Sequence, residues 1–211
     1  MNRMNDLNCL LAGKLVEDIK KDHEASGIAV AIIDKSGKTQ YEKFWGVRDL
    51  ESGKEVNGDT IFGLASVTKS FTALSIMQLE EKGMIDLEQR YRRMMKMNLQ
   101  KINYQKELEK LLISHAGGFF PLPRILVGNV AESLGLDEEK DGDFAYNDAV
   151  AQEGVKLVAE RLDAQTKENG LNGQPGEYLS YCNDGFGLLS DIIRRYGGEP
   201  SYADYLLKNV M

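Results

Sequence analysis

The stretch Thr60-Ile61-Phe62-Gly63-Leu64-Ala65-Ser66-Val67-Thr68-Lys69-Ser70-Phe71-Thr72-Ala73 decides how this chain is read. Past Ser66, the residues Val67, Phe71, Leu74, Met77 and Leu79 keep helical spacing until Glu80-Glu81-Lys82-Gly83, where glycine supplies a C-terminal stop. Few charges interrupt the run before Glu80, and a helix apolar on most of its circumference is expected in the protein centre, where its first residues are held rigidly. Ser66 and Lys69 stand at that N-terminus, three positions apart, so both side chains fall on one helix face within reach of each other. The positive end of the helix favours negative charge developing on the serine oxygen, and a desolvated lysine can lose its proton near neutral pH. The pair is a candidate activated nucleophile that needs no histidine. By itself Ser-x-x-Lys is a weak pattern, because it occurs by chance on many exposed helices.

Upstream, Leu7, Leu10, Leu11, Leu15, Val16 and Ile19 recur at three and four, which predicts an amphipathic helix over about 6–22. Ile28-Ala29-Val30-Ala31-Ile32-Ile33 and Thr39-Gln40-Tyr41-Glu42-Lys43-Phe44-Trp45-Gly46 read as two strands joined through Asp34-Lys35-Ser36-Gly37-Lys38, a β-hairpin with a glycine-bearing turn. A second turn falls at Glu51-Ser52-Gly53-Lys54. Trp45, Phe44 and Tyr41 are assigned to sheet packing, and His23 to solvent. Downstream, 84–175 reads as mainly helical, with Met94, Met95 and Met97 as packing residues and a helical piece around Leu108, Leu111, Leu112 and Ile113 that ends at Ser114-His115. There His115 either ends the helix and bonds a backbone carbonyl or helps to shape a site. Further helices are expected over 148–165, 185–196 and 202–210. The charge runs at 80–82 and 137–143 are taken as solvated surface.

Composition narrows the function classes. The chain has 211 residues, 42% apolar and 28% charged, with 21 Gly and four Pro, which excludes disordered and fibrous classes. A chain of this length buries about 70% of its unfolded surface and folds without disulfide staples. The net charge of −7 is the wrong sign for a protein living on nucleic acid or anionic lipid, so small molecules or peptides are the expected substrates. No run approaches the 18 or so apolar residues of a membrane span. The two cysteines, Cys9 and Cys182, make neither a disulfide framework nor a zinc spacing, and no metal is expected. The N-terminal apolar run is too short for a secretory signal, which reads as cytoplasmic; a chain trimmed of its leader, and so periplasmic or extracellular, would look the same. No repeat or linker marks a boundary, so 1–211 is expected to be one unit: hairpin and nucleophile helix in 1–83, the helical region in 84–175, and a closing segment in 176–211.

Three ordered phrases carry a family resemblance. The stretch around Ser66, with Leu79-Glu80-Glu81-Lys82-Gly83-Met84-Ile85-Asp86-Leu87 behind it, resembles the serine β-lactamase and penicillin-binding family, and within it the class C branch that also holds D,D-peptidases and esterases. Leu111-Leu112-Ile113-Ser114-His115-Ala116-Gly117-Gly118 resembles that branch's Leu-Leu-x-His-x-x-Gly stretch, with His115 displaced by one position. Gln174-Pro175-Gly176-Glu177-Tyr178-Leu179-Ser180-Tyr181-Cys182-Asn183-Asp184-Gly185-Phe186 resembles its Pro-Gly-x-x-x-x-Tyr-Ser-Asn segment. The resemblance implies an α/β (α+β) β-lactamase/transpeptidase-like fold, a small antiparallel sheet with flanking helices beside a mainly helical region. It also implies a hydrolase that forms an acyl-enzyme at Ser66 and acts on β-lactams, D-Ala-D-Ala peptides or small esters. Lys69 would be the proton partner of Ser66, Tyr181 a general base or acid, and Asn183 a hydrogen-bonding group for Lys69 or for a substrate amide. Either Lys69 or Tyr181 takes the serine proton. No cofactor is implied, because the lysine and the helix terminus do what a metal does in a zinc hydrolase. Cys182 stands where the family has serine: harmless if it points away from the cleft, polarity-changing beside Tyr181 if it points inward.

The pattern also breaks. The family's third motif, Lys or His followed by Thr or Ser and then Gly, does not follow Asn183, and the similar Lys35-Ser36-Gly37 precedes Ser66 inside a turn. The strands that carry that motif, and a backbone N–H of the oxyanion hole with it, would lie beyond Met211. Three expectations follow: a piece of a longer enzyme, a chain completed by another segment or by a second copy in a homodimer, or a binding module that does no chemistry.

Overall fold

A computed structural model describes residues 3–23, 25–87, 112–120, 127–143 and 147–211. These fall into two compact units, 1–63 and 64–211.

In the first unit, helix α1 (Arg3–His23) precedes an antiparallel hairpin of β1 (Gly27–Ile33) and β2 (Thr39–Gly46). The register runs from Gly27 opposite Gly46 to Ile32 opposite Tyr41, then slips so that Ile33 meets Thr39. The turn is built on Asp34, whose carboxylate accepts from the Ser36 and Lys38 N–H groups and the Ser36 hydroxyl, while Gly37 takes a φ of 81°. Lys35-Ser36-Gly37 is thus a turn. Asp49 organises the next one in the same way, through the Glu51 and Ser52 N–H groups. Tyr41, Phe44 and Trp45 are half-buried along β2. The helical spacing in α1 is present, but it does not bury the leucines: Leu10, Leu11 and Leu15 are exposed while Val16 is 2% exposed. The side chain of His23 lies outside the described residues, as do Met94, Met95 and Met97.

The second unit is helical in its described residues. A single 3₁₀ turn, Ala65–Val67, leads directly into α2 (Thr68–Glu81), and α3 (Val127–Ser133), α4 (Glu138–Asp141), α5 (Asp148–Asn169), α6 (Asn183–Tyr196) and α7 (Tyr202–Asn209) follow. Their starts carry side-chain caps where the sequence offers them: Asn147 accepts from the Ala149 and Val150 N–H groups, and Ser201 from that of Asp204. The core gathers around α6, whose Phe186, Leu189 and Ile193 fall at i, i+3 and i+7 and pack with Ile76 and Leu79 of α2, Leu162 of α5 and Tyr205 of α7.

One expectation fails here. α2 is not buried all round: Val67, Leu74 and Met77 are about half exposed, and its buried side is Thr72, Ser75, Ile76 and Leu79. The reason is packing geometry. α2 meets α6 and α7 along one side, and the two hydroxyls on that side are tolerated because they bond back to the Thr68 and Phe71 carbonyls.

Candidate active site

Three segments of the second unit meet at Ser66: the 3₁₀ turn that carries it, the loop 114–120, and the segment 171–183 ahead of α6. Backbone bonds tie the two loops together, from Asn172 N–H to the Gly118 carbonyl at 2.7 Å, from Gly176 to Ala116 at 2.8 Å and from Ser180 to His115 at 2.7 Å. Gly118 has a φ of 72°, and a Cβ there would stand 2.6 Å from the Gly173 carbonyl, so this crossing requires glycine. The Ser180 hydroxyl, buried, donates to the Phe119 carbonyl at 2.8 Å and closes the seam.

From Ser180 to Asn183 the side chains alternate, two inward and two outward. Ser180 and Cys182 are buried; Tyr181 and Asn183 are exposed. Extended backbone at Cys182, with φ −126° and ψ 111°, produces that alternation. Cys182 therefore points into the core, 4.0 Å from the Phe120 carbonyl, and burial pushes its thiol up from the ordinary range. Of the two readings open for Cys182, the structure places it away from Ser66.

The outward face holds the chemistry. The Ser66 hydroxyl and the Tyr181 phenol are 2.7 Å apart, and the Lys69 ammonium donates to the Ser66 oxygen at 3.3 Å. Ser66 sits at the head of α2, which has no acidic residue in its first turn to offset the partial positive charge of the helix terminus. Ala65, just before it, has a φ of 46°, a left-handed value that costs a non-glycine residue on the order of 1 kcal/mol. The Lys69 ammonium lies 5.0 Å from the centre of the Tyr181 ring and 5.5 Å from that of Phe186. Lys69 first, then the Ser66 hydroxyl, holds the Tyr181 phenol below the ordinary tyrosine range.

Asn183 lies on the same outward side of the segment as Tyr181 and makes no hydrogen bond to Ser66, Lys69 or Tyr181. It is exposed at the first position of α6, and among the described residues its side-chain amide has no hydrogen-bond partner. His115, for which shaping a site was one of two readings, and Phe186, which had no role assigned from sequence, both belong here. His115 stacks on the Tyr181 ring at 4.1 Å, and Phe186 meets His115 at 5.0 Å. The signal for His115 was its place in the second phrase; for Phe186, its position three residues past Asn183 on α6. A cavity of about 650 Å³ between α5 and α6, walled in part by Asp191, Arg194 and Arg195, includes none of Ser66, Lys69 and Tyr181 in its lining. Among the described residues no group of three or more His, Cys, Asp or Glu could hold a metal, and no helix is long and apolar enough to cross a membrane.

The chain is similar to several known proteins. The profile of the family described as Beta-lactamase matches residues 12–211. Penicillin-binding protein 4* of Bacillus subtilis is 29% identical over 198 residues, which is 93% of this chain and 38% of that protein. Esterase EstB of Burkholderia gladioli is 40% identical over 60 residues, 28% of this chain and 15% of the esterase. Among solved structures, the octameric penicillin-binding protein homologue from Pyrococcus abyssi superposes with a TM-score of 0.68 at 25% identity, over 94% of this chain and 41% of that one. The chain thus spans about two-fifths of the length of Penicillin-binding protein 4* and of the Pyrococcus abyssi homologue.

Proposed function

The chain belongs to the Beta-lactamase family, and from that premise we propose that it carries the nucleophile, its proton partner and the tyrosine of a serine hydrolase. The reaction proposed is acyl transfer to Ser66, from a β-lactam, a D-Ala-D-Ala peptide or a small ester. The observation that carries the reading is the double use of one hydroxyl: Ser66 accepts from Lys69 at 3.3 Å and meets the Tyr181 oxygen at 2.7 Å.

A lysine ammonium can only donate, so once Tyr181 is the phenolate the single proton of Ser66 is directed to it. In the phenolate form Tyr181 takes that proton as Ser66 Oγ attacks the carbonyl carbon. The tetrahedral oxyanion collapses, the C–N or C–O bond breaks, and the departing amine or alkoxide takes the proton back. Water then attacks the ester carbonyl at Ser66 as Tyr181 accepts its proton; the intermediate collapses, the Ser66 Oγ–C bond breaks, Tyr181 returns the proton to Ser66 Oγ, and the acid is released. Lys69, chiefly by its hydrogen bond and then with the Ser66 hydroxyl, favours the phenolate by lowering the Tyr181 pKa from the ordinary tyrosine value. The names of the relatives, a penicillin-binding protein and an esterase, support a substrate with a reactive or activated acyl group.

The test is intact-protein mass after incubation with a penicillin and, separately, with a fluorophosphonate, each beside Ser66→Ala. A covalent adduct in the native chain that vanishes in Ser66→Ala is the expected result. An adduct that persists without Ser66, or none from folded protein, would overturn the reading.

A further inference from the structure

Tyr181 is 44% exposed, so core packing alone does not hold its ring, yet its oxygen must stay within hydrogen-bond reach of Ser66. One residue supplies the missing restraint. The Ser180 N–H donates to the His115 carbonyl at 2.7 Å, and the Cys182 N–H donates to His115 Nδ1 at 3.2 Å. The imidazole itself lies over the phenol ring, centroids 4.1 Å apart and planes 29° from parallel. The residues before and after Tyr181 and its ring are therefore all tied to His115.

We infer that His115 is a positioning residue for Tyr181, fixing the phenol oxygen at Ser66 through its carbonyl, its Nδ1 and its ring. The inference rests on the reading of Tyr181 as the acceptor of the Ser66 proton. His115 holds a φ of 57°, a left-handed conformation that a non-glycine residue keeps only where surrounding contacts over-determine it, and here three do. It also meets Phe186 at 5.0 Å, so the imidazole touches both the tyrosine it aligns and the core helix α6. The acceptor role demands neutral imidazole with its proton on Nε2. Burial first, and the Lys69 charge second, keep His115 in that state by lowering its pKa from the ordinary histidine value. Displacing a catalytic group by about 1 Å costs roughly 100-fold in rate, which sets the size of effect a lost restraint can have.

Two substitutions separate the contacts. His115→Asn tolerates the left-handed backbone and offers an amide oxygen to the Cys182 N–H, but has no ring. His115→Phe keeps a ring and has no acceptor. Each is read in two ways: the rate of fluorophosphonate labelling at Ser66, and the titration of the Tyr181 phenol followed by NMR of ring-labelled tyrosine, assigned with Tyr181→Phe. The expected result for His115→Asn is labelling slowed about 10- to 100-fold and a phenol titration moved up toward that of free tyrosine. If His115→Asn folds poorly, His115→Phe carries the same two readouts for the Cys182 anchor, with the same directions expected. A folded variant whose phenol titration stays at the native value overturns the inference, whether or not its labelling slows. Should the native chain take no label at all, the reading of Ser66 fails, while the phenol titration still decides the role of His115.

Discussion

The Ser66 hydroxyl and the Tyr181 phenol stand 2.7 Å apart across 115 positions of chain. The contact joins the head of one helix to the segment before another, and the phenol oxygen serves no packing purpose on an exposed side chain. Tyr181→Phe removes that oxygen and leaves the ring to stack on His115. Its thermal midpoint is expected to move little, with a stability change within about 0.5 kcal/mol. Labelling at Ser66 is expected to fall by about 10²- to 10⁴-fold, the usual contribution of a positioned base. Labelling at the native rate would remove Tyr181 from the reaction.

The pH dependence of the same labelling follows from the cause of the Tyr181 shift. The phenolate is the base, so the rate rises as the phenol loses its proton and levels off above its pKa. Lys69, then Ser66, lowers that pKa, so the rise is centred below the ordinary tyrosine value. In Lys69→Met the ammonium is gone, and the residual rate is expected to rise at higher pH than in the native chain. A rise at the same pH in both proteins would show that Lys69 does not set the phenol.

Much of this was legible in the sequence, and the exceptions have physical reasons. The hairpin could be read because β-branched runs flank an Asp-x-x-Gly turn whose carboxylate satisfies its own backbone. The helices that start at Asn147 and Ser201 announced themselves by apolar spacing and were fixed by their caps. Ser66 and Lys69 stood out by their spacing at a helix N-terminus, a weak signal alone, while Tyr181 could be picked out only because three ordered phrases resembled one family. The degree of burial was not legible: α1 and α2 have the right apolar periods, but whether Leu10 or Leu74 is covered depends on partners far along the chain. The geometry of His115 was hidden for a related reason, since its left-handed backbone and its stack on Tyr181 arise from a crossing of two loops more than 50 positions apart.

Asp191 gives a prediction about stability independent of the chemistry. Its side chain is 3% exposed on α6 and accepts from Arg194 Nε and an Arg194 terminal nitrogen at 3.0 and 2.7 Å, and from Arg195 Nε at 2.6 Å. Asp191→Asn keeps the shape, removes the charge, and turns an amide NH₂ toward one guanidinium. Because a buried carboxylate leaves two cations without their partner, the loss is expected at about 3 kcal/mol, tempered by the partial exposure of both arginines. A urea titration checks it. A midpoint equal to that of the native protein would mean the two arginines are solvated well enough to need no partner.

Cys182 tests the alternation that points Tyr181 outward. The thiol is 4% exposed, sits in the core with Phe186 and Leu189, and has its pKa raised by burial, so both access and thiolate fraction are reduced. Iodoacetamide at pH 8 is expected to leave Cys182 unmodified in the folded protein and to alkylate it once urea unfolds the chain, as read by peptide mapping. The outcome bears on the site because the same extended backbone that buries Cys182 exposes its two neighbours. Rapid alkylation of Cys182 in the folded chain would place the thiol on the open side, and Tyr181, one position earlier, would then point into the core and away from Ser66.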